Sequence, residues 1–425
     1  VAAIRAAALP SIPQELVEEQ IADTARTVDQ ARAAFLDHLR GARPEVANGA
    51  PAVYSHGGET PRNLLAPAML LRSGHPEAQL VERFGANVME QAHGLRGLPM
   101  LEVASLAIRA AGLEVPANPM ERARVAFSTV TLPAILADVV QASLARGYSS
   151  KEETWRKWCS IGSAPNFNTI RRTRLTLHGA FEDITPAGEI PGATVEDEHE
   201  DYALGTKGRM IVFTRQDMIN DNLGALTRIP FSLGVQGALA IAKAAYTALM
   251  ANAAMDDSVA LFHADHSNLL TGSALTATTF GTALALFRNQ TDKAGDPIDV
   301  QPKILLVPTT LEGTAKGIIN SKLIVVTGTT DAEKPDGNVW EGAAEVVTDP
   351  RLENANYTNY AATTWYLIGD PSVVDTVEVS FLNGVQTPVV EPAALPSTVL
   401  GTGWRAYLDM AAKAIDTRTM VRATA

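Results

Sequence analysis

Apolar positions recur at three- and four-residue spacing from the start of the chain, which predicts helices there. Leu16, Val17, Ile21 and Ala25 form one stripe, and Val28, Ala31, Phe35, Leu36 and Leu39 a second, closed by Gly41. Ser11 with Gln14 and Thr27 with Gln30 have capping-box spacing, and Pro13 suits a first turn. Glu15, Glu18, Glu19, Asp23 and Asp37 face outward, so the pair reads as a hairpin with a solvated acidic exterior, the alternative being a docking element. Gly41 to Arg62, rich in Gly, Pro and Ala, reads as a linker. Helices are expected over Glu77–Ala92 and Met100–Ala111, with a break at Val115–Pro119 and a boundary near Arg124. Thr131–Leu144 is a further apolar helical stretch, followed by two tryptophans, Trp155 and Trp158.

Beyond these tryptophans the period changes. Arg171, Thr173, Leu175 and Leu177 alternate as one strand face, and Arg209–Thr214 is a second strand. Between them, Phe181–Asp201 holds no Lys or Arg but eight acids: Glu182, Asp183, Glu189, Glu196, Asp197, Glu198, Glu200 and Asp201. Such a segment cannot bury a core of its own, and a long excursion between strands reads as a projecting, functional hairpin. The longest helix begins after a cap at Asp221 or Asn222, meets a break or restart at Pro230, and ends near Asn252. Strands are expected at Lys303–Val307, Val325–Thr327, Ala344–Val347, Thr364–Ile368 and Val377–Phe381, with a helix at Leu311–Ile319. Tyr407–Ile415 fits either helix or strand. Without a regular βαβ rhythm, the fold class is α+β.

Length and charge narrow the function. A chain of 425 residues allows two or three domains, and its formal charge of −12 argues against binding a polyanion through bulk positive charge. One cysteine, Cys159, excludes an internal disulfide framework and a CxxC site, and its setting reads as a buried structural thiol. No apolar stretch is read as membrane-spanning, because Gln236 and Lys243 interrupt the best candidate, Gly234–Met255. No signal peptide is visible. A chain that starts at Val1 and not Met reads as a fragment or a processed product.

The chemistry-bearing motifs are weak. Gly401, Gly403 and Ala406 match a dinucleotide fingerprint, but too little chain follows for the βαβ unit that motif needs. His263, Asp265 and His266 form the best metal-like cluster; the competing reading is a polar turn in which Asp265 and Asn268 bond the backbone. Neither supports catalysis, and no cofactor or metal is expected. The remaining contrast is of charge: Arg171, Arg172 and Arg174 lie beside an arm carrying Glu196, Asp197, Glu198, Glu200 and Asp201. These eight residues are expected to pair between neighbouring copies of the chain.

Several segments resemble the major capsid proteins of tailed bacteriophages, in particular the group related to the Mu-like major head subunit, which is often fused behind a prohead protease. They are Thr154–Gly162 with Asn166 and Phe167, Gly208–Leu226 (GRMIVFTRQDMINDNLGAL), Leu261–Leu269 (LFHADHSNL), Lys303–Asn320, Asn338–Pro350, Trp365–Pro371 and Phe381–Glu391. Gly208–Leu226 is the most specific. The resemblance implies the Hong Kong 97-type capsid fold. It divides the chain into residues 1–44 (helical hairpin, scaffold-like), 45–123 (linker and helical region), 124–180 (N-arm and lead-in), 181–208 (E-loop), 209–279 (peripheral domain with spine helix), 280–379 (axial domain) and 380–425 (return to the peripheral domain). It implies a structural, non-enzymatic subunit that self-assembles into hexamers and pentamers in the host cytoplasm and persists in the virion. Implied partners are further copies, portal, scaffold or protease, and decoration proteins, with packaged DNA held without sequence preference and no membrane. Residues before 124 would be removed on maturation or persist. Alternatives are an encapsulin-like nanocompartment shell and residual protease activity in the N-terminal region.

Overall fold

The chain divides into two units, residues 1–60 and 61–425. The computed structural model describes residues 61–178, 194–291, 295, 297–325, 335–396 and 400–425. The expected helical hairpin of residues 1–44 and nearly all of the linker lie outside the described residues.

Six helices open the described chain: α1 (Pro61–Arg72), α2 (Glu77–Phe84), α3 (Ala86–Leu95), α4 (Met100–Ala110), α5 (Pro119–Ser128) and α6 (Thr131–Ser149). The single helix expected over Glu77–Ala92 is two, because Gly85 between them takes φ +89°, a left-handed value that ends one helix before the next begins. The break at Val115–Pro119 is present, and Asn118 caps α5 by accepting the Met120 N–H. The boundary expected near residue 124 falls inside α5. Apolar residues on both sides of it, from Leu65 and Met69 to Val139 and Val140, share one core with Ile211, Phe213, Leu226 and Trp404.

A helix of 28 residues, Leu223–Met250, follows the short α7 (Arg215–Ile219) and is numbered α8. Neither expected cap holds it: Asn222 is its N-cap but makes no side-chain cap bond. Asp221, at φ +54°, instead receives the Arg72 guanidinium and the Met100 N–H, and so ties α1, the start of α4 and the start of α8. The cap that forms is Thr214 with Asp217 on α7. Pro230 neither breaks nor restarts α8, which runs through it. By length and composition α8 is apolar enough to cross a bilayer, which corrects the expectation that no stretch is. Its apolar residues serve two cores, so it is hydrophobic on more than one face.

The strands form two five-stranded sheets. The first has the order β1 (Cys159–Ala164), β11 (Val377–Leu382), β13 (Gly401–Ala414), β12 (Val389–Ala393), with β4 (Gly205–Thr214) along the other side of β13. The ambiguous Tyr407–Ile415 segment is therefore strand. The second has the order β5 (Leu269–Thr271), β14 (Met420–Thr424), β10 (Trp365–Gly369), β6 (Pro302–Val307), β9 (Glu345–Thr348). Helices α9 (Ala277–Arg288) and α10 (Glu312–Asn320) pack with this sheet through Phe280, Phe287, Ile318 and Ile319. The expected division into residues 209–279, 280–379 and 380–425 does not follow sheet membership at β5 and β14, because the chain crosses back to the second sheet for its last strand. Short strands β7 (Leu323–Val325) and β8 (Pro335–Gly337) pair with each other.

Between the sheets Trp155, Trp158, Tyr246 and Phe381 are fully buried, with Trp158 Nε1–H donating to the Tyr246 hydroxyl at 3.3 Å. The Cys159 thiol lies in this core, and burial pushes its pKa well up, as a structural thiol requires.

His75 gives this architecture a pH dependence. The ring is buried, with Nδ1 2.9 Å from the Ser73 hydroxyl and Nε2 3.3 Å from that of Ser143 on α6. Burial first, and then the Arg146 charge, lower its pKa to about 4. The unfolded chain takes up this proton below about pH 6.5, the folded one only near 4. Stability therefore falls as pH drops through that window, by an amount on the order of 3 kcal/mol from this group. Denaturant midpoints at pH 7 and pH 4.5 should move closer together in His75→Gln than in the parent.

Candidate functional site

The acidic arm is a two-stranded hairpin, but not with the strands expected. Strand β2 (Ile170–His178) pairs antiparallel with β3 (Thr194–Tyr202), so the acids are themselves strand residues. Arg209–Thr214, the expected second strand, belongs to β4 in the first sheet. β2 and β3 pair only with each other among the described residues. Residues 179–193, with Glu182, Asp183 and Glu189, lie outside the description.

Register explains the charge contrast. Arg171 stands opposite Asp201, Arg172 opposite Glu200 and Arg174 opposite Glu198, while Glu196 and Asp197 face Thr176 and Leu175. Arg171 donates through Nε and Nη2 to the two Asp201 oxygens at 3.0 and 2.9 Å, and this bond holds the Asp201 pKa below its usual range. The expected pairing of Arg171 with an acid thus occurs within one chain. A period-2 strand pattern shows which residues share a face but not which strand will lie opposite.

On the other face of the hairpin base is a buried polar cluster. Arg172 donates from Nε to Glu378 Oε2 at 2.8 Å and from Nη2 to Glu378 Oε1. Tyr202 Oη donates to Glu378 Oε1 at 3.0 Å and lies 2.6 Å from the Ser380 hydroxyl, which donates to the same carboxylate oxygen at 2.7 Å. The Glu378 hydrogen bond keeps Arg172 charged by raising its pKa, and burial raises that of Tyr202. Gly162 on β1 makes room: a Cβ there would stand 1.7 Å from Glu378 Oε1 and 2.2 Å from Ser380 Oγ. Glu200, buried, accepts the Asp256 N–H at 2.8 Å and meets Lys413 Nζ at 3.1 Å. His199 Nδ1 lies 3.5 Å from Asp256.

Sequence reasoning missed Tyr202, Glu378, Ser380 and Lys413. In Val377–Leu382 the alternation Val-Glu-Val-Ser-Phe reads as a half-exposed strand. The base of the arm covers its polar side, and both polar residues are buried. Each carboxylate and hydroxyl is matched, so the arm's base is a fixed mount. Glu378→Ala would leave Arg172 and Tyr202 without their acceptor at a cost of about 2 kcal/mol. Amide exchange across Ile170–Thr173 and His199–Tyr202 should then accelerate by about tenfold or more; unchanged exchange would mean that other contacts hold the arm.

The remaining motifs have structural uses. Gly401 and Gly403 lie on β13, where a Cβ on Gly401 would meet the Phe213 carbonyl oxygen at 2.2 Å. His266 Nε2 lies 2.7 Å from Asp257, and the buried Asn268 accepts from His263 N–H and donates to the Leu261 and Thr417 carbonyls. This is the polar turn, built by Asn268; at Asp265 it is the backbone N–H that bonds, to His263 Nδ1. No metal-holding group of His, Cys, Asp and Glu is found among the described residues.

The described chain thus carries a two-stranded arm fixed at its base, a long core helix and two five-stranded sheets. Residues 198–423 match the family model described as phage capsid protein, and the chain belongs to that family. It is a structural capsid subunit that self-assembles, and a component of the virion shell. No curated protein matches it. Among solved structures, it is similar to the mature capsid of bacteriophage PhiM1 (11% identity, 64% of this chain and 87% of that one, TM-score 0.42). It is also similar to a chain of Mycobacterium phage Adephagia (12%, 64% and 90%, 0.40). A third similarity is to the SrpI encapsulin of Synechococcus elongatus (10%, 63% and 84%, 0.38).

Proposed function

We propose that this chain is the major head subunit of a tailed phage, tiling as hexamers and pentamers into an icosahedral shell around double-stranded DNA. The observation that carries the reading is the family match over residues 198–423, whose first residues are the returning strand of the mounted arm. The motifs Gly208–Leu226 and Leu261–Leu269 favour the Mu-like group within that family. Rings and closed shells follow from one heterologous contact repeated around symmetry axes, and many weak copies of it give strength that no single one has. A formal charge of −12 lets DNA be packed densely without being gripped. The subunit works without catalysis. Assembly takes place in the host cytoplasm before the shell becomes the virion. Portal, scaffold or protease, and decoration proteins are its further partners.

Residues 61–123 stay in the finished shell on this reading, because their side chains complete the core beneath α8 and β4. Any maturation cut lies before Pro61. Negative-stain microscopy of the purified chain tests the proposal: rings or closed particles are expected, and a monodisperse monomer at high concentration would count against it. Mass spectrometry of mature particles should recover peptides from 61–123.

A further inference from the structure

A cleft of about 650 Å³ lies between the N-terminal helices and the body, floored by Leu80, Ala142, Trp155 and Ile241. That is the size of a small-molecule site, and a nucleic-acid duplex would meet only its rim. Four cations line it: Arg83 on α2, Arg146 near the end of α6, Lys151 just after that helix and Arg156 beside Trp155. Among the described residues none of the four is in an ion pair, whereas Arg72, Arg122, Lys157, Lys303, Arg351 and Lys413 are. Arg83 lies over the Phe84 ring; Arg146 lies over Phe231 and donates to the Gly74 carbonyl at 3.4 Å. Arg156 lies over Trp155 and donates to Gln386 and to the Tyr148 hydroxyl, both neutral groups. Of the two acids in the lining, Glu153 is taken by Arg351 at 2.9 Å, which leaves Glu152 against the four cations. Charges of one sign around an apolar floor focus the field and concentrate counter-ions there. His75 lines the same cleft, and after burial it is the Arg146 charge that lowers its pKa.

We propose that this cleft binds a small polyphosphate anion, a chemistry shared by inorganic tripolyphosphate and the triphosphate tail of a nucleotide. Three of the four cations are guanidiniums, whose planar fork of donors matches two phosphate oxygens at once, and Lys151 adds a point charge. A linked row of phosphates carries charge enough to answer all four, which a monoanion does not. Arg83, Lys151 and Arg156 are exposed, so their heads can close on a guest while their stems stay on the wall. The apolar floor offers the base of a nucleotide a dry face. A bound anion would tie α2 and the end of α6 to Arg156 on the body, and so stabilise the folded chain. The site is separate from the arm and its mount, and the inference does not rest on the tiling reading.

Inorganic tripolyphosphate is the probe, titrated by calorimetry into the full chain at constant ionic strength, with thermal unfolding alongside. One site per chain is expected, with a melting temperature raised by several degrees near saturation. Arg83→Gln with Lys151→Gln should weaken binding by about a hundredfold, roughly tenfold for each charge-assisted bond removed, with the circular dichroism of the parent. Lys207→Gln with Lys243→Gln, at two cations of a different cavity, should bind as the parent does. ATP without magnesium is the second arm: tighter binding than tripolyphosphate puts the base on the apolar floor, equal binding assigns the site to the phosphates alone, and either supports the proposal. Equal losses in the two double variants, or an equal melting shift from sulfate at the same ionic strength, would mean diffuse attraction and overturn it. So would tripolyphosphate that does not bind, including the case in which a short DNA duplex binds and loses affinity in the cleft variant. Binding is read on the folded chain whether or not it assembles, so a failure of the tiling reading shows separately, as an absence of particles.

Discussion

A chain shortened to Arg124–Ala425 is expected to come out of solution when expressed, although it keeps the whole segment matched by the capsid family, residues 198–423, and both sheets. The cut removes Leu65, Met69, Leu70, Leu80, Met89, Met100, Val103 and Ile108, all buried against α6, Ile211, Phe213, Leu226 and Trp404. Each such side chain contributes about 1.5–3 kcal/mol through burial, so the set matches or exceeds the roughly 5–15 kcal/mol by which a whole domain is stable. The newly bared face would also be a contiguous apolar patch, which soluble monomers rarely show. The cut removes Arg72 as well, and so leaves Asp221 without its cation beside the start of α8. Soluble yield and sedimentation of two chains, one starting at Pro61 and one at Arg124, check this. A folded, soluble fragment from Arg124 would show that the helical region is an accessory and not part of the subunit's core.

Gly234→Val should be nearly as damaging, for a different reason. Helices α6 and α8 meet backbone to backbone: a Cβ on Gly234 would lie 2.0 Å from the Leu144 carbonyl oxygen, and one on Gly147 2.0 Å from that of Phe231. Neither obstacle is a side chain that could swing aside, so the helices themselves must part. Overpacking usually costs about 1–3 kcal/mol, and a backbone-on-backbone clash belongs at or above the top of that range. Thermal unfolding should show a melting point lower by several degrees, and Gly147→Val should reproduce it. The double variant should cost less than the sum of the two, since the helices part only once. An unchanged melting point in either single variant would mean that the crossing is loose enough to absorb a side chain.

The long helix and the strand Lys303–Val307 were legible because each is a local pattern, a periodicity or a run, that needs no partner to be recognised. The capsid resemblance was legible in the same way, from short segments such as Gly208–Leu226. The arm was half legible. Its acids and the neighbouring arginines stand out in composition, but the register that sets Arg171 on Asp201 within one chain does not. Glu378 and Ser380 were not legible as a site, because alternation marks which side of a strand is polar, not what comes to lie on it.

By itself the sequence determined what depends on neighbours a few residues away: helix and strand period, the split of acidic from basic segments, and the want of a catalytic motif. Only the tertiary structure decided which strands lie side by side, that β14 returns to the second sheet, that residues 61–149 share a core with β4 and α8, and that four cations gather around one cleft. These are meetings between positions far apart in the chain. A hydrophobic or charged residue records that it needs a partner, but the partner's identity is fixed by how all the elements pack at once.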